Sequence, residues 1–269
     1  MNKDLIKDYN FKKKFGQNFL IDENILRNIV EKSNIDKDTL VLEIGVGAGF
    51  LTYYTSKEAK YVLGYEIDES LKDIISEELK DCDNTEIIFQ DFLKANVKEK
   101  LKEYDYKKLY VVANLPYYIT TPIITKIIDD NLGVDKIVVM VQKEVEERIF
   151  SKPGDKEYNS LIVLLNYYYD ISKLMNVSRN SFIPKPNVDS IIIEFNSNKK
   201  YTVIDEELFF KLVRDSFKFK RKNLRNNLKG YDLDKIEKAL NTMNKDLTAR
   251  AESLTIEDFI YIANYLKEN

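Results

Sequence analysis

The sequence predicts an α/β protein: a doubly wound parallel sheet followed by a small all-helical C-terminal domain. Three observations predict it. Short apolar runs alternate with helical patterns from residue 39 to residue 148. A glycine or a polar residue closes four successive runs, at Gly45, Glu66, Asp91 and Asn114. Beyond a polar, turn-like stretch at 196–200 the chain reads as helix. The expected domains are therefore 1–198 and 199–269.

Residues 11–20, F-K-K-K-F-G-Q-N-F-L, form a basic-aromatic arm. Asp22 suits the cap of a helix with Ile25, Leu26, Ile29 and Val30 on one face. A buried strand at 39–44 runs into Gly45-Val46-Gly47-Ala48-Gly49, and a helix follows from 50 to about 57. Further strands are expected at 61–67, 86–90, 109–113 and 136–142, with helices at 69–79 and 143–148. Asn114, Leu115, Pro116 and Tyr117 break the fourth strand, and Thr120 and Thr121 open a helix with Pro122 in its first turn. A helical segment is expected at 158–169 and a strand at 188–195. Between them Pro184 and Pro186 stiffen an extended loop, because each proline biases its predecessor away from helix. From Asp205 onward the pattern is helical throughout.

Composition narrows the chemistry. The chain has no histidine and one cysteine, Cys82, which removes Ser-His-Asp and Cys-His catalysis, an internal disulfide and a His or multi-Cys metal site. No metal is expected. No run approaches ~18 consecutive apolar residues, so no membrane span is expected. The first eight residues alternate charge and lack an apolar core, so no secretory signal is expected and the cytoplasm is the expected compartment. The net charge of −3 argues mildly against a dedicated nucleic-acid binder, but local clustering can override a total.

In open α/β sheets ligands bind at the carboxyl ends of the strands, where these four residues sit. The glycine run is G-x-G-x-G; a dinucleotide fingerprint would want a small residue where Phe50 stands. The run instead fits a loop under a nucleoside with an amino-acid tail, as in S-adenosylmethionine. Glu66 could accept both ribose hydroxyls and Asp91 an adenine amine. For a lone acid a solvated loop carboxylate is the commoner meaning, but the glycine run beside them favours the nucleoside. At 114–117, an amide, a proline carbonyl and a ring could hold a flat purine and pull on its exocyclic amine. Phe182 is a second candidate ring; on spacing alone, a ring packed into the core explains it equally well. The stretch 217–230 carries Lys218, Lys220, Arg221, Lys222, Arg225 and Lys229 without an acid, and Lys12, Lys13 and Lys14 form a second cluster. Either a solvated face or a phosphate-binding surface follows, and focused RNA contact is the functional reading.

Taken in order, the motifs resemble the bacterial KsgA family, the small-subunit ribosomal RNA adenine N6,N6-dimethyltransferases. They are F-G-Q-N-F-L at 15–20, E-I-G-V-G-A-G at 43–49, Y-E-I-D at 65–68, D-F at 91–92 and N-L-P-Y at 114–117. Q-K-E-V at 142–145, F-I-P-K-P-N-V-D-S at 182–190, R-K-N-L-R-N at 221–226 and R-A-E-S-L at 250–254 continue the likeness over nearly the whole chain. The resemblance implies a Rossmann-like methyltransferase sheet that uses S-adenosylmethionine. It implies that Asn18, Leu20, Gly45, Gly47, Glu66, Asp91 and Asn114 hold that cofactor, and that Asn114, Pro116, Tyr117 and Phe182 hold the target adenine. The implied substrate is two adjacent adenosines in the 3′-terminal hairpin loop of small-subunit (16S) rRNA, within an immature 30S subunit, met by a monomer. Tyr118 departs from the asparagine common in the family after N-L-P-Y. The nearest rival is the related group that dimethylates large-subunit rRNA and confers macrolide resistance; Leu115 and the P-K-P-N-V-D-S and R-A-E-S-L segments favour the small subunit. A non-catalytic assembly factor would not need the intact N-L-P-Y and glycine motifs. A DNA adenine methyltransferase would more typically show proline at Leu115.

Overall fold

The computed structural model describes residues 1–12, 16–114, 119–198 and 200–268. Packing divides the chain into two compact units, Met1–Lys143 with Ile171–Asn196, and Glu144–Asp170 with Ser197–Asn269. The sequence reading drew one cut, after 198. By packing, residues 144–170 join the C-terminal unit, where the Tyr167 ring lies tilted against Phe209 and edge-on to Phe210, with ring centroids 4.8 and 5.9 Å away.

The N-terminal unit begins with β1 (Phe19–Leu20) and α1 (Glu23–Ser33), followed by β2 (Thr39–Ile44), α2 (Phe50–Glu58), β3 (Tyr61–Glu66), α3 (Lys72–Glu78) and β4 (Thr85–Phe89). It continues through α4 (Val97–Leu101), β5 (Lys108–Asn114), α5 (Thr120–Asp129) and β6 (Lys136–Gln142). After α6 (Lys143–Ile149) and α7 (Ser160–Tyr168), the chain returns as β7 (Tyr169–Val177), β8 (Phe182–Ile183) and β9 (Ser190–Ser197). The Asp22 carboxylate caps α1 by accepting from the Asn24 and Ile25 amides, as the sequence suggests. No helix among the described residues is long and apolar enough to cross a membrane.

The main sheet has the order β4-β3-β2-β5-β6-β9-β7. Its first five strands run parallel; β9 lies antiparallel to β6, with Ile193 opposite Val139. The chain moves outward from β2 to β4, then returns to lay β5 on the other side of β2. That reversal opens a crevice at the carboxyl ends of β2 and β5. β2 is buried along its whole length, which is why it reads as a continuous apolar run.

Two expectations need correction. The helix expected at 158–169 ends at Tyr168, and the missed strand β7 follows without a linker. As a strand at the end of the sheet, β7 carries exposed Asp170, Ser172 and Lys173, and its apolar signal is weak. The C-terminal unit contains α8 (Glu206–Ser216), α9 (Leu224–Asn227), α10 (Leu233–Thr242) and α11 (Ile256–Glu268), so helix does not run throughout. The break between α8 and α9 is stitched by one side chain. Asn227 Nδ2 donates to the Ser216 carbonyl at 2.6 Å, and Asn227 Oδ1 accepts from the Phe219 amide at 3.1 Å.

Two positions in the sheet set the site above it. A Cβ at Gly64 would fall 2.5 Å from Val46 Cγ2 and 2.7 Å from Ile87 Cδ1, so only glycine lets the loop after β2 lie down on β3. Glu43, on β2, is 1% exposed, and its Oε2 has no hydrogen-bond partner among the described residues. Burial, reinforced by the nearby Glu66 charge, pushes its carboxyl up to about 8.

Gly64→Ala should therefore lower stability by ~1–3 kcal/mol, read as a shifted denaturant midpoint with unchanged slope. Glu43 sets a pH dependence of defined sign. The folded chain keeps this proton to about 8, whereas the unfolded chain releases it near its ordinary 4.5, so stability should fall as pH rises between them. Glu43→Gln should flatten that decline in unfolding experiments across the same range; an identical slope in both proteins would contradict the assignment.

Candidate active site

The crevice holds a cavity of about 150 Å³ at the carboxyl ends of β2, β3 and β5. Gly45 and Gly47 from the glycine loop, Glu66, Asp91 and Asn114 all line it. So do Asn18 and Leu20 from the arm and Phe182 from β8. Eight of the residues expected from the sequence thus meet on one cavity, although they span residues 18 to 182.

The glycine loop is held from both sides. Gly45 donates its amide to the Tyr65 carbonyl at 2.9 Å. Gly47, at φ +60°, donates its amide to Glu66 Oε2 at 2.8 Å; a Cβ there would sit 3.2 Å from the Phe19 ring. The positive φ and the ring together make glycine the fitting residue. Glu66 Oε1 accepts the Asp68 amide at 2.9 Å. The Glu66 side chain is 5% exposed. Burial pushes its carboxyl above the ordinary range, and the backbone donors at Asp68 and Gly47 oppose that rise. The Gly47 and Asp68 amides take one site on each oxygen, which leaves the carboxylate acceptor capacity for hydroxyls of a ligand.

Asp91 is half-buried and does two things at once. Its Oδ1 accepts the Leu93 amide at 3.0 Å and so caps the turn after β4, while Lys94 stands 3.8 Å from Oδ2. Asn114 ends β5, and its Nδ2 donates to the Asn18 carbonyl at 3.2 Å. Asn18 Nδ2 in turn donates to the Gly16 carbonyl at 3.0 Å. β1 and β8 pair antiparallel, with Leu20 opposite Phe182, and the Ile21 amide donates to the Ser181 carbonyl at 2.8 Å. Phe182 is 5% exposed and packs in the same cluster as Phe19 and Leu20. Its ring is therefore both core and cavity wall.

Some lining residues were not singled out from the sequence. Ile67 is 46% exposed beside Glu66 and offers an apolar edge to a flat ring. Gln17 and Gln90 add amides to the wall. Gln17 was visible as part of F-G-Q-N-F-L, but nothing in its spacing marks what it faces. Asp68 was visible in Y-E-I-D, yet its partners Tyr9, Lys12 and Gln17 lie 51 to 59 residues away.

Pro116 and Tyr117, with Leu115 and Tyr118, lie outside the described residues, as do Lys13 and Lys14. Lys218, Lys220, Arg221 and Lys222 are exposed on the turn between α8 and α9. Arg225 is exposed on α9 and pairs with Glu237 at 3.2 Å. Among the described residues no group of three or more Cys, Asp or Glu side chains is arranged to hold a metal ion.

The donor set fits S-adenosylmethionine: a glycine turn under the strand ends, an acid with spare acceptor capacity, and an apolar edge beside it. Comparison with known proteins points the same way. The ribosomal RNA adenine dimethylase family matches residues 8–268. The ribosomal RNA small subunit methyltransferase A of Bacillus pumilus (strain SAFR-032) is 45% identical over 99% of this chain and 95% of its own. That of Staphylococcus aureus (strain JH9) is 43% identical over 93% and 88%. Among solved structures, a dimethyladenosine transferase from Plasmodium falciparum has a TM-score of 0.75 at 25% identity, over 91% of this chain and 95% of its own. The 23S rRNA methyltransferase ErmE has a TM-score of 0.69 at 24% identity, over 93% and 100%, a likeness of fold. A glycine loop, an acid and an asparagine gathered at one reversal of a Rossmann-like sheet, in a chain matched almost end to end, make it a member of the ribosomal RNA adenine dimethylase family.

Proposed function

We propose that this chain uses S-adenosylmethionine to dimethylate N6 of two adjacent adenosines in the 3′-terminal hairpin loop of small-subunit (16S) rRNA. It acts as a monomer in the cytoplasm, on an immature 30S subunit, late in ribosome assembly. The observation that carries this reading is the place of Asn114. It ends the strand beside the glycine loop and lines the same cavity as Glu66, so one amide can face both cofactor and base. The small-subunit assignment is supported by relatives of that name at 43–45% identity over most of the chain.

S-adenosylmethionine supplies, when bound, a methyl group on a sulfonium, which needs only an aligned nucleophile. Gly45, Gly47, Asn18 and Leu20 form its bed, Glu66 accepts its ribose hydroxyls and Asp91 its adenine amine. The target amine is a weak nucleophile because its lone pair is delocalised into the purine ring. Asn114 Nδ2 donates to the arm, which turns the amide oxygen toward the other side as an acceptor. That oxygen and the Pro116 carbonyl draw on the N6 hydrogens, localise the lone pair and stabilise the positive charge that grows on nitrogen. Tyr117 stacks on the base, worth ~1–3 kcal/mol, and Phe182, which lines the cavity, offers a second ring. The proton lost from nitrogen passes to water, so a chain without histidine lacks nothing for this reaction. A paired base does not reach such a cavity, so the target is unpaired or flipped. The exposed cations at 218–222 contact phosphates, and binding weakens steeply with salt.

The purified protein should transfer label from S-adenosylmethionine to immature small subunits taken from a strain that lacks the modification. Label found only on large-subunit rRNA would sink the small-subunit assignment. Asn114→Ala should lower kcat by about 10²-fold or more while changing RNA affinity little. An equal collapse of RNA affinity, measured by filter binding, would show that Asn114 holds the substrate rather than the transition state.

A further inference from the structure

Asp68 follows Glu66 by two residues, is 2% exposed and is not part of the cavity wall. Its carboxylate is nevertheless the most heavily bonded anion near the site. Oδ1 accepts from Lys12 Nζ at 2.6 Å, from Ser70 Oγ at 2.7 Å and from the Ser70 amide at 3.1 Å. Oδ2 accepts from the Tyr9 hydroxyl at 2.8 Å and from Gln17 Nε2 at 2.7 Å. Lys12 and Gln17 belong to the arm, and Tyr9 lies just before it. The arm is also knitted to itself around them, since the Lys12 amide donates to Gln17 Oε1 at 2.8 Å. Tyr9, Phe11 and Phe19 pack as a ring cluster, with centroids 5.2 to 5.8 Å apart.

The physical demand runs both ways. A carboxylate this buried needs a cation and several donors to remain ionised. The bonds from Lys12, Ser70, Tyr9 and Gln17 outweigh the rise that burial would cause and hold the Asp68 carboxyl well below the usual carboxylate range. Among its described residues the arm for its part has no helix or strand before β1. Its course from Gly16 to Leu20 depends on tertiary bonds: Gln17 to Asp68, the Asn18 carbonyl to Asn114, and Leu20 paired with Phe182. Only the first of these attaches the arm to the strand end that carries Glu66.

We propose that Asp68 is a positioning residue for the cofactor: by gathering Tyr9, Lys12 and Gln17 on one buried carboxylate, it holds residues 16–20 as a wall of the cavity and so sets cofactor affinity. The proposal rests on the reading of the cavity as the S-adenosylmethionine site. The reaction itself does not touch Asp68, so its loss acts on binding more than on turnover.

The test is calorimetric titration with S-adenosylhomocysteine together with amide hydrogen exchange on the full chain. Asp68→Asn should weaken binding by at least about tenfold, and raise KM for S-adenosylmethionine more than it lowers kcat. Exchange should quicken at residues 16–21 while the amides of β2 and β5 stay protected. Tyr9→Phe keeps the ring cluster and removes one donor, and should weaken binding by about threefold. Lys12→Met should fall between the two. Wild-type affinity and unchanged exchange in Asp68→Asn would overturn the proposal, as would faster exchange spread evenly over the sheet, which marks a purely structural role. Should Asp68→Asn fail to fold, wild-type affinity in both Tyr9→Phe and Lys12→Met would overturn it. A wild-type protein that bound no S-adenosylhomocysteine would overturn the cofactor reading instead, and exchange at 16–21 in Asp68→Asn would still decide whether Asp68 holds the arm.

Discussion

Ile44 lies opposite Ala113 in the parallel pairing of β2 with β5, and the site depends on that register. It makes the two strands finish flush, so that the first glycine of the loop and the asparagine meet; a Cβ on Gly45 would lie 3.7 Å from the Asn114 carbonyl oxygen. A shift of one residue would turn the side chains of β5 to the opposite face and carry Asn114 away from the loop. The apolar run on both strands makes such a shift costly, because Leu40, Val41, Leu42 and Val111 are all fully buried. The burial that stabilises the sheet is therefore the same burial that aims the polar groups at its edge.

The second wall of the cavity is built differently. Residues 16–21 have almost no ladder of their own, and their backbone groups find partners one at a time: Asn114 for Asn18, Phe182 for Leu20 and Ser181 for Ile21. Each bond of this kind contributes modestly, ~0.5–1.5 kcal/mol, and several must form together for the wall to stand. The sheet makes one half of the site rigid, while a short list of specific contacts makes the other half.

That contrast explains what could be read in the sequence. β2, β3, β5, β6 and β9 appear in the amino-acid pattern to within two residues, because strands buried on a helix-covered sheet are apolar runs bounded by polar or glycine stops, and β4, an edge strand that is only partly buried, is legible from its Ile87-Ile88-Phe89 run before Asp91. The stops themselves, Gly45, Glu66, Asp91 and Asn114, are legible for the same reason. β7 is not, since it ends the sheet and mixes Asp170 and Lys173 with its apolar residues. β1 and β8 are two residues each and exist only as a pair. The break after Ser216 is set by the Asn227 side chain, eleven residues further on, which no local periodicity encodes. The role of Phe182 was open between base-facing ring and core, and its burial in a cavity wall combines both descriptions.

The pairing of Leu20 with Phe182 also bears on how the protein is made. Every strand of the parallel sheet is complete by residue 142, and its apolar faces can close as soon as they emerge from the ribosome. The start of the chain has no such option, because its partner is synthesised 162 residues later. At ~5–20 residues per second, that leaves Phe19 and Leu20 without their strand partner for roughly ten to thirty seconds. Between the synthesis of residue 142 and that of residue 182 the newborn chain has its parallel strands and their crevice but only part of a wall around it. Competence to hold a ligand then waits for residues 182 and 183, although Phe19 and Leu20 are translated before every strand of the parallel sheet.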